Sequence, residues 1–432
     1  MLKAYPRHTI NGSMELFWLA CQTILRGKAQ GGDHIEHFEK EFARYIGTQH
    51  AVGVESARKG LYLILKSRQF DKGDEVIMPA YTFQALPITV MACGLKPVFV
   101  DVDSSTSNMN PALIEEKITG RTRVLILTHM FGQPAEMISI MKIAQKHRLC
   151  VMEDCAHACG SKYKNQRLGS FGDAAIFSFK MGKNLPCFGG GMVTTNDSQI
   201  YRQLKGLVEQ FPNPGHGGLF KEIISTFLFY CSTHRNIFPY VTYPLFRLLD
   251  LFGSDFSDNY IEEPLDMNRS MKSLENQKRL SNLQATIGLK QLAKLDVANQ
   301  KLKINAQKLI QELKGIENIS IPVDTPEADI PYLYFRIQVP HLKLFRKKLL
   351  SRGIDTKRDD MSVCPHLNIF KEYKAPCPVA EKLPETSLEI PHNSFLKDED
   401  IRYIAKQIKQ TAEEIGQSQT FNLETVQSEA MK

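Results

Sequence analysis

Four short stretches hold residues whose types and spacing could do chemistry together. Ser56-Ala57-Arg58-Lys59-Gly60 follows an apolar run and opens a helical pattern with Leu61, Ile64 and Leu65 on one face. A helix start offers free amides and the positive end of the dipole, so with the Ser56 hydroxyl it can hold a phosphate. Serine there is equally a plain helix cap. Glu153-Asp154 closes a second apolar run. A carboxylate in that place can be a helix cap, a metal ligand or the partner of a cationic ring nitrogen. Phe177-Ser178-Phe179-Lys180-Met181-Gly182-Lys183-Asn184 leads from a strand pattern into a loop that carries two lysines. Tyr81-Thr82-Phe83 sets aromatics just beyond another apolar run. Each stretch alone also has an ordinary reading as cap, core or solvated charge.

Together they offer a phosphate-holding helix start, a carboxylate, an aromatic plate and a lysine. That set suits pyridoxal 5'-phosphate (PLP), which needs a lysine for its Schiff base, an acid on its ring nitrogen and ligands for its phosphate. The carboxylate keeps the ring protonated and able to draw electrons, and the displaced lysine becomes the base for proton transfer.

The elements that must position these groups are legible as seven apolar runs between residues 50 and 195: 51–54, 76–78, 97–100, 124–127, 149–152, 174–177 and 191–194. Uninterrupted runs of this kind suit strands covered on both faces, hence an α/β domain with a mostly parallel sheet and helices on both faces. Ligands of such sheets sit beyond the carboxyl ends of the strands, where the four stretches fall. The division expected is a large domain over 1–258, a smaller α+β domain over 259–415 and a flexible polar tail over 416–432. Within the smaller domain, 273–314 has helical periodicity, Tyr332–Val339 reads as a strand and Leu342–Arg352 as a helix ending at Gly353. The aromatic, apolar stretch 211–258 reads as an insertion that packs on the domain or a sister subunit. A weak membrane-surface contact is the alternative.

With 432 residues, 43% apolar and 23% charged, the chain is neither disordered nor a small stapled module. A net charge of +7 without a Lys/Arg block argues against a nucleic-acid partner. Nine cysteines without a CxxC pair suggest neither a disulfide framework nor a zinc site, and no metal is expected. No apolar leader opens the chain, so a cytoplasmic location is expected.

Several stretches taken together resemble the DegT/DnrJ/EryC1/StrS family of sugar aminotransferases, which have the PLP fold type I. The strongest are Val151-Met152-Glu153-Asp154-Cys155-Ala156-His157-Ala158, Gly169-Ser170-Phe171-Gly172-Asp173, Phe177-Ser178-Phe179, Lys183-Asn184 and Gly189-Gly190-Gly191-Met192-Val193. The likeness extends over roughly residues 8 to 410, outside 211–259. It implies Lys183 as the Schiff-base lysine, with Lys180 its rival, and Asp154 as the partner of the ring nitrogen. It also implies Phe83 as the ring-stacking aromatic, Ser178 as a phosphate ligand and His157 near the ring hydroxyl, where the family usually has glutamine. Three departures stand out. The family's Ser-Gly-Thr phosphate turn reads Ser56-Ala57-Arg58, its Gly-Glu-Gly-Gly reads Phe188-Gly189-Gly190-Gly191, and the Asn-Tyr-Arg of the neighbouring subunit reads Gln277-Lys278-Arg279.

The resemblance implies a homodimeric aminotransferase that moves an amino group from an amino acid, glutamate by family habit, to a nucleotide-linked keto-sugar for glycan precursors. Two alternatives are a PLP-dependent sugar dehydratase, which the retained Lys183 disfavours, and a PLP-binding scaffold or sensor with little catalysis.

Overall fold

The computed structural model describes residues 3–10, 14–251, 267–358 and 360–430. Seven strands form the central sheet: β1 (His50–Val54), β2 (Glu75–Pro79), β3 (Lys96–Val100), β4 (Thr122–Thr128), β5 (Cys150–Asp154), β6 (Ala174–Ser178) and β7 (Gly191–Thr195). They lie in the order β1-β7-β6-β5-β4-β2-β3. The five strands from β6 to β3 are parallel, whereas β7 runs antiparallel to both of its neighbours. Each apolar run read from the sequence is one of these strands.

The runs are uninterrupted because side chains alternate between two cores, one on each face. Ile77, Leu125, Leu127, Val151 and Phe177 join Phe38 and Phe42 of the helix His34–Ile46 in one core. Val76, Met78, Val124, Ile126, Met152 and Ile176 meet Leu61 and Ile64 of the helix Ala57–Ser67 in the other. Each fully buried aliphatic side chain stabilises the fold by about 1.5–3 kcal/mol, which fixes strand register and leaves only the ends free for polar residues. The parallel strands share one direction, so Pro79, Thr128, Asp154 and Ser178 finish at the same edge.

The smaller domain has a three-stranded antiparallel sheet, β8 (Phe335–Gln338), β9 (Lys357–Arg358) and β10 (Ser387–Ile390), in the order β8-β10-β9. Its core packs Phe335, Ile337 and Leu388 against Leu309, Phe345, Leu349 and Ile404 of three helices. The strand expected over 332–339 is shorter at 335–338. The helix Leu342–Ser351 stops as read, with Gly353 at φ +83°.

Two parts differ from expectation. The division placed at 258/259 lies outside the described residues. The helices Met267–Glu275 and Asn282–Leu292 that follow it belong with the larger unit, because Leu280, Leu283, Ala285 and Ile287 join the core of its sheet. A helical period reveals an apolar face but not which sheet that face meets. The tail expected over 416–432 continues the helix Asp398–Ala430, with 431–432 outside the described residues. Its glutamines, glutamates, leucine and alanine favour helix even where few apolar groups need cover.

The stretch 211–251 forms the helices His216–Thr233 and Thr242–Leu251. Phe227 and Tyr230 set their rings 5.2 and 5.5 Å from Phe17 on the large domain. The Tyr243 hydroxyl donates to the Leu350 carbonyl of the small domain at 2.9 Å, and Phe238 is buried beside Ala4 and Leu350. The helix pair therefore straps one domain to the other. Phe220, Leu228, Leu245 and Leu248 stay exposed. No helix of the described residues is long and apolar enough to cross a membrane.

Candidate active site

Ser56 ends the turn after β1 in extended backbone, and its hydroxyl accepts the Lys59 amide at 3.3 Å to cap the helix Ala57–Ser67. Gly191, opposite Ser178 in the β6–β7 ladder, closes the space beside it. A Cβ there would lie 2.5 Å from the Ala57 nitrogen and 2.7 Å from the Ser56 carbonyl carbon. Only glycine lets β7 approach so closely, and the approach brings Ser56, Ala57 and Ser178 to one small area. Gly190 precedes it at φ +93°, a conformation other residues rarely hold. A helix start and two serines in one area are the groups an anion cradle is made from.

Glu153 and Asp154, adjacent at the end of β5, do different work. The buried Glu153 carboxylate accepts from the amides of Gly169, Phe171 and Gly172 at 2.8 Å each. His129 Nε2 lies 3.0 Å from it, while His129 Nδ1 accepts the Ala135 amide at 3.1 Å. His129, Glu153 and Cys155 cluster closely enough for a metal, yet Glu153 is fully engaged with protein donors, which makes this a brace for the strand end. Among the described residues, Asp154 accepts the Ala156 amide at 3.0 Å. Burial pushes its carboxyl above the ordinary range, against the opposite pull of that amide, Lys183 and His129. Such a buried carboxylate is stabilised by a cation placed against it.

Lys183 provides the nearby amine. It is half-buried, whereas Lys180 is exposed. Desolvation brings the Lys183 amine down to about 8, and Lys180 and Lys357 push the same way while Asp154 and Asp360 oppose it. Its Nζ lies 3.4 Å from the Tyr334 hydroxyl, which itself donates to the Gly182 carbonyl at 2.9 Å. The amine also sits 5.4 Å from the centre of the Tyr334 ring. His157 meets the same ring edge-on at 5.0 Å and stacks on Phe131 at 5.8 Å. Burial, reinforced by Lys183, Arg336 and Lys357, drives the His157 imidazole well below its ordinary range, so it is neutral. Its Nδ1 is buried with no hydrogen-bond partner among the described residues.

The structure thus groups Ser56, Ala57 and Ser178 in one cradle and Asp154, His157 and Lys183 beside it. Two other candidates lie at its edge. Arg58 directs its guanidinium to the Ser273 hydroxyl at 3.3 Å. Phe83 is 46% exposed at the rim, one residue after Thr82, whose hydroxyl is 3.4 Å from Thr128 beside Asp154. Sequence reasoning passed over Tyr334, His8, Arg336 and Lys357. Half-buried His8 stands edge-on to Tyr334 at 5.5 Å with Nδ1 3.1 Å from Glu389. Lys357 on β9 pairs with Asp360. The alternation of β8 was the available signal, because Phe335 and Ile337 face the core while Tyr334, Arg336 and Gln338 face outward.

The DegT/DnrJ/EryC1/StrS aminotransferase family model matches residues 15–224 and 243–409, leaving out 225–242 in the inserted helix pair. A dTDP-3-amino-3,4,6-trideoxy-alpha-D-glucose transaminase of Streptomyces venezuelae is 31% identical over 392 residues, 90% of this chain and 89% of that protein. A UDP-N-acetyl-3-dehydro-alpha-D-glucosamine 3-aminotransferase of Acidithiobacillus ferrooxidans is 32% identical over 387 residues, 88% and 89% of the two chains. The solved structure of S. venezuelae DesV in complex with a ketimine intermediate is similar at a TM-score of 0.71 and 28% identity, covering 93% of this chain and 95% of that one.

Proposed function

We propose a reaction for this chain, which belongs to the DegT/DnrJ/EryC1/StrS aminotransferase family and is an aminotransferase. It transfers an amino group from an amino-acid donor to a keto-sugar carried on a nucleotide, with PLP as cofactor, in the making of glycan precursors. The observation that carries the reading is the half-buried Lys183 amine, held near neutrality beside the buried Asp154 carboxylate.

The residues present fit PLP. The cradle at Ser56, the Ala57 amide and Ser178 suits the phosphate, since Gly191 leaves open what a Cβ would fill. Asp154 suits the protonated ring nitrogen, and the unpartnered Nδ1 of His157 suits the ring hydroxyl. When bound, PLP supplies the electron sink that lets the proton on the amine-bearing carbon leave. Lys183 would take that proton and return it to the carbon on the other side of the nitrogen, a task that suits an amine poised near ambient pH. Asp154 would keep the ring nitrogen protonated. Tyr334 limits the swing of Lys183 by meeting its Nζ. The two relatives above support a nucleotide-linked acceptor by their names. All nine cysteines are free thiols, which fits a reducing cytoplasm. A homodimer is the family arrangement and part of the proposal.

The test is the visible absorption of wild-type and Lys183→Ala protein, each with PLP, before and after glutamate. A Schiff-base band that is present in the wild type, absent in the variant and bleached by glutamate is the expected result. Turnover of a nucleotide keto-sugar should fall at least about 10³-fold in the variant. A band retained by the variant would move the reading to Lys180, and no band in either protein would sink it.

A further inference from the structure

Lys183 and His157 stand on two loops that form no helix or strand: 179–189, which follows β6, and 155–161, which follows β5. Turns fix each loop in part. The Lys183 amide donates to the Lys180 carbonyl at 3.1 Å, and the Ala158 amide to the Cys155 carbonyl at 3.0 Å. A turn sets the local path of a chain but not its distance from a neighbouring loop. One buried side chain joins the two. Asn299, on the helix Leu295–Leu313, accepts from the Asn184 Nδ2 at 3.0 Å and donates its own Nδ2 to the Cys159 carbonyl at 3.0 Å. Asn184 is the residue after Lys183, and Cys159 lies two after His157. The Asn184 side chain is buried and its Oδ1 has no hydrogen-bond partner among the described residues, so the bond to Asn299 is what holds it.

The contact is closely fitted. Gly160 has φ +97°, and a Cβ there would run into the Asn299 Nδ2 and lie 2.8 Å from the Tyr45 hydroxyl. Both the left-handed backbone and the missing space call for glycine. One turn earlier on the helix, Asp296 accepts from the Tyr45 hydroxyl at 2.6 Å and from Arg167 Nη2 at 3.1 Å, which fixes the height of Asn299 against the large domain. The helix reaches both domains. Leu295 joins the core under the large sheet, whereas Ala306, Leu309 and Leu313 join the small-domain core.

We propose that Asn299 is a positioning residue of the reaction, a carboxamide clamp that sets the Lys183 loop against the His157 loop. The inference rests on the aminotransferase reading and extends it to a residue that acts through its neighbours. A carboxamide is what the place calls for, because it accepts on one side and donates on the other. Leucine has a similar size and does neither. The Lys183 amine itself makes one long hydrogen bond, 3.4 Å to the Tyr334 hydroxyl, so where it stands depends on how its loop is held. Proton transfer is sensitive to that placement, since a shift of about 1 Å can cost roughly 10²-fold in rate.

The experiment compares the wild type with Asn299→Leu, and with Asn305→Leu as the control for general loosening. Asn305, on the same helix, donates to the small-domain carbonyl of Asn393 at 2.9 Å. In the PLP-free full chain, acetic anhydride labels Lys183 only when its amine is neutral, and peptide mass spectrometry across pH 6 to 10.5 gives the midpoint. Wild type and Asn305→Leu should share a midpoint of about 8, whereas Asn299→Leu, its lysine loop open to water, should move at least about one unit higher. With PLP and glutamate, Asn299→Leu should lose at least about ten-fold in kcat while KM changes less than about three-fold. Asn184→Leu should reproduce the midpoint shift, and the double variant should lose no more than the worse single one, because each breaks the same contact. If Asn299→Leu does not fold, Asn184→Leu carries the test from the loop side. An unmoved midpoint overturns the proposal whatever happens to turnover, as do fully additive losses or an equal shift in Asn305→Leu. If no amino acid bleaches the wild-type band, the aminotransferase reading fails, while the labelling still decides whether Asn299 positions Lys183.

Discussion

The wall of the site built by the large sheet presents its chemistry at strand ends, whereas the wall built by the small sheet presents it along a strand face. Asp154 and Ser178 are the last residues of β5 and β6, and Ser56 lies two beyond the end of β1. Tyr334 and Arg336 alternate with Phe335 and Ile337 at β8, and Lys357 sits on the two-residue strand β9. A polar group ending a doubly covered apolar run is conspicuous, because burial there is costly unless something offsets it. A polar group alternating with apolar ones is what any half-exposed strand shows. The first wall announces itself in the sequence and the second is visible only once the domains are docked.

The sharpest way to break this contrast is to neutralise the large-domain wall. Asp154→Asn keeps the shape of the strand end and removes the charge. Turnover should fall roughly 10²–10³-fold, the range seen when one stabilising charge or dipole is lost from an active site. The protein should still form its Schiff-base band, because Lys183 is intact. Steady-state kinetics beside an absorption spectrum separates the two effects. A loss of less than about five-fold would mean that Asp154 braces the strand, as its neighbour Glu153 does.

A second effect comes from Lys183 itself. Burial lowers its amine from the ordinary 10.5 to about 8 in the folded chain without PLP. The amine attacks PLP only when neutral, so the rate of cofactor capture should rise about ten-fold per pH unit below 8 and level off above it. The same shift has a stability sign. Between about 8 and 10.5 the unfolded chain binds the extra proton, so stability rises with pH over that window and is lower below it. Lys183→Met should therefore raise the unfolding free energy of the PLP-free protein at pH 7 by about 1–3 kcal/mol, read from denaturant titration, while abolishing the band. A flat capture rate between pH 6 and 9 would show that the amine is not desolvated.

Much of the fold was open to reading for the reason that makes the large wall legible. All seven strands of the main sheet are buried on both faces, so each appears as an apolar run. What the sequence did not give away was contact between distant segments. Helix 282–292 is periodic in either domain, and only Leu280, Leu283 and Ile287 packing under the sheet decides which one holds it. His8 reaches the site because the chain around Tyr5 pairs with Ile354 and Arg7 grips Asp355 at 2.9 Å, contacts almost 350 residues apart. Arg58 shows a contact of the same kind. Beside the candidate phosphate turn, its guanidinium also donates to Ser273, on a helix more than 200 residues away.

Tyr334 offers the finest test, since it touches both walls at once. Its hydroxyl is 3.4 Å from Lys183, long for a hydrogen bond, so deleting that oxygen alone should have a modest effect. A net contribution of about 0.5–1 kcal/mol predicts that Tyr334→Phe slows turnover two- to five-fold. The phenylalanine keeps the ring that lies 5.4 Å from the amine and 5.0 Å from His157. Tyr334→Leu removes that ring as well and should lose a further three-fold or more, with His157 freed on one face. The order of the two variants carries the inference. If phenylalanine alone accounts for the whole loss, the small-domain wall acts through a hydrogen bond. If leucine adds to it as expected, that wall acts by shape, confining a lysine whose charge the large-domain wall has already set.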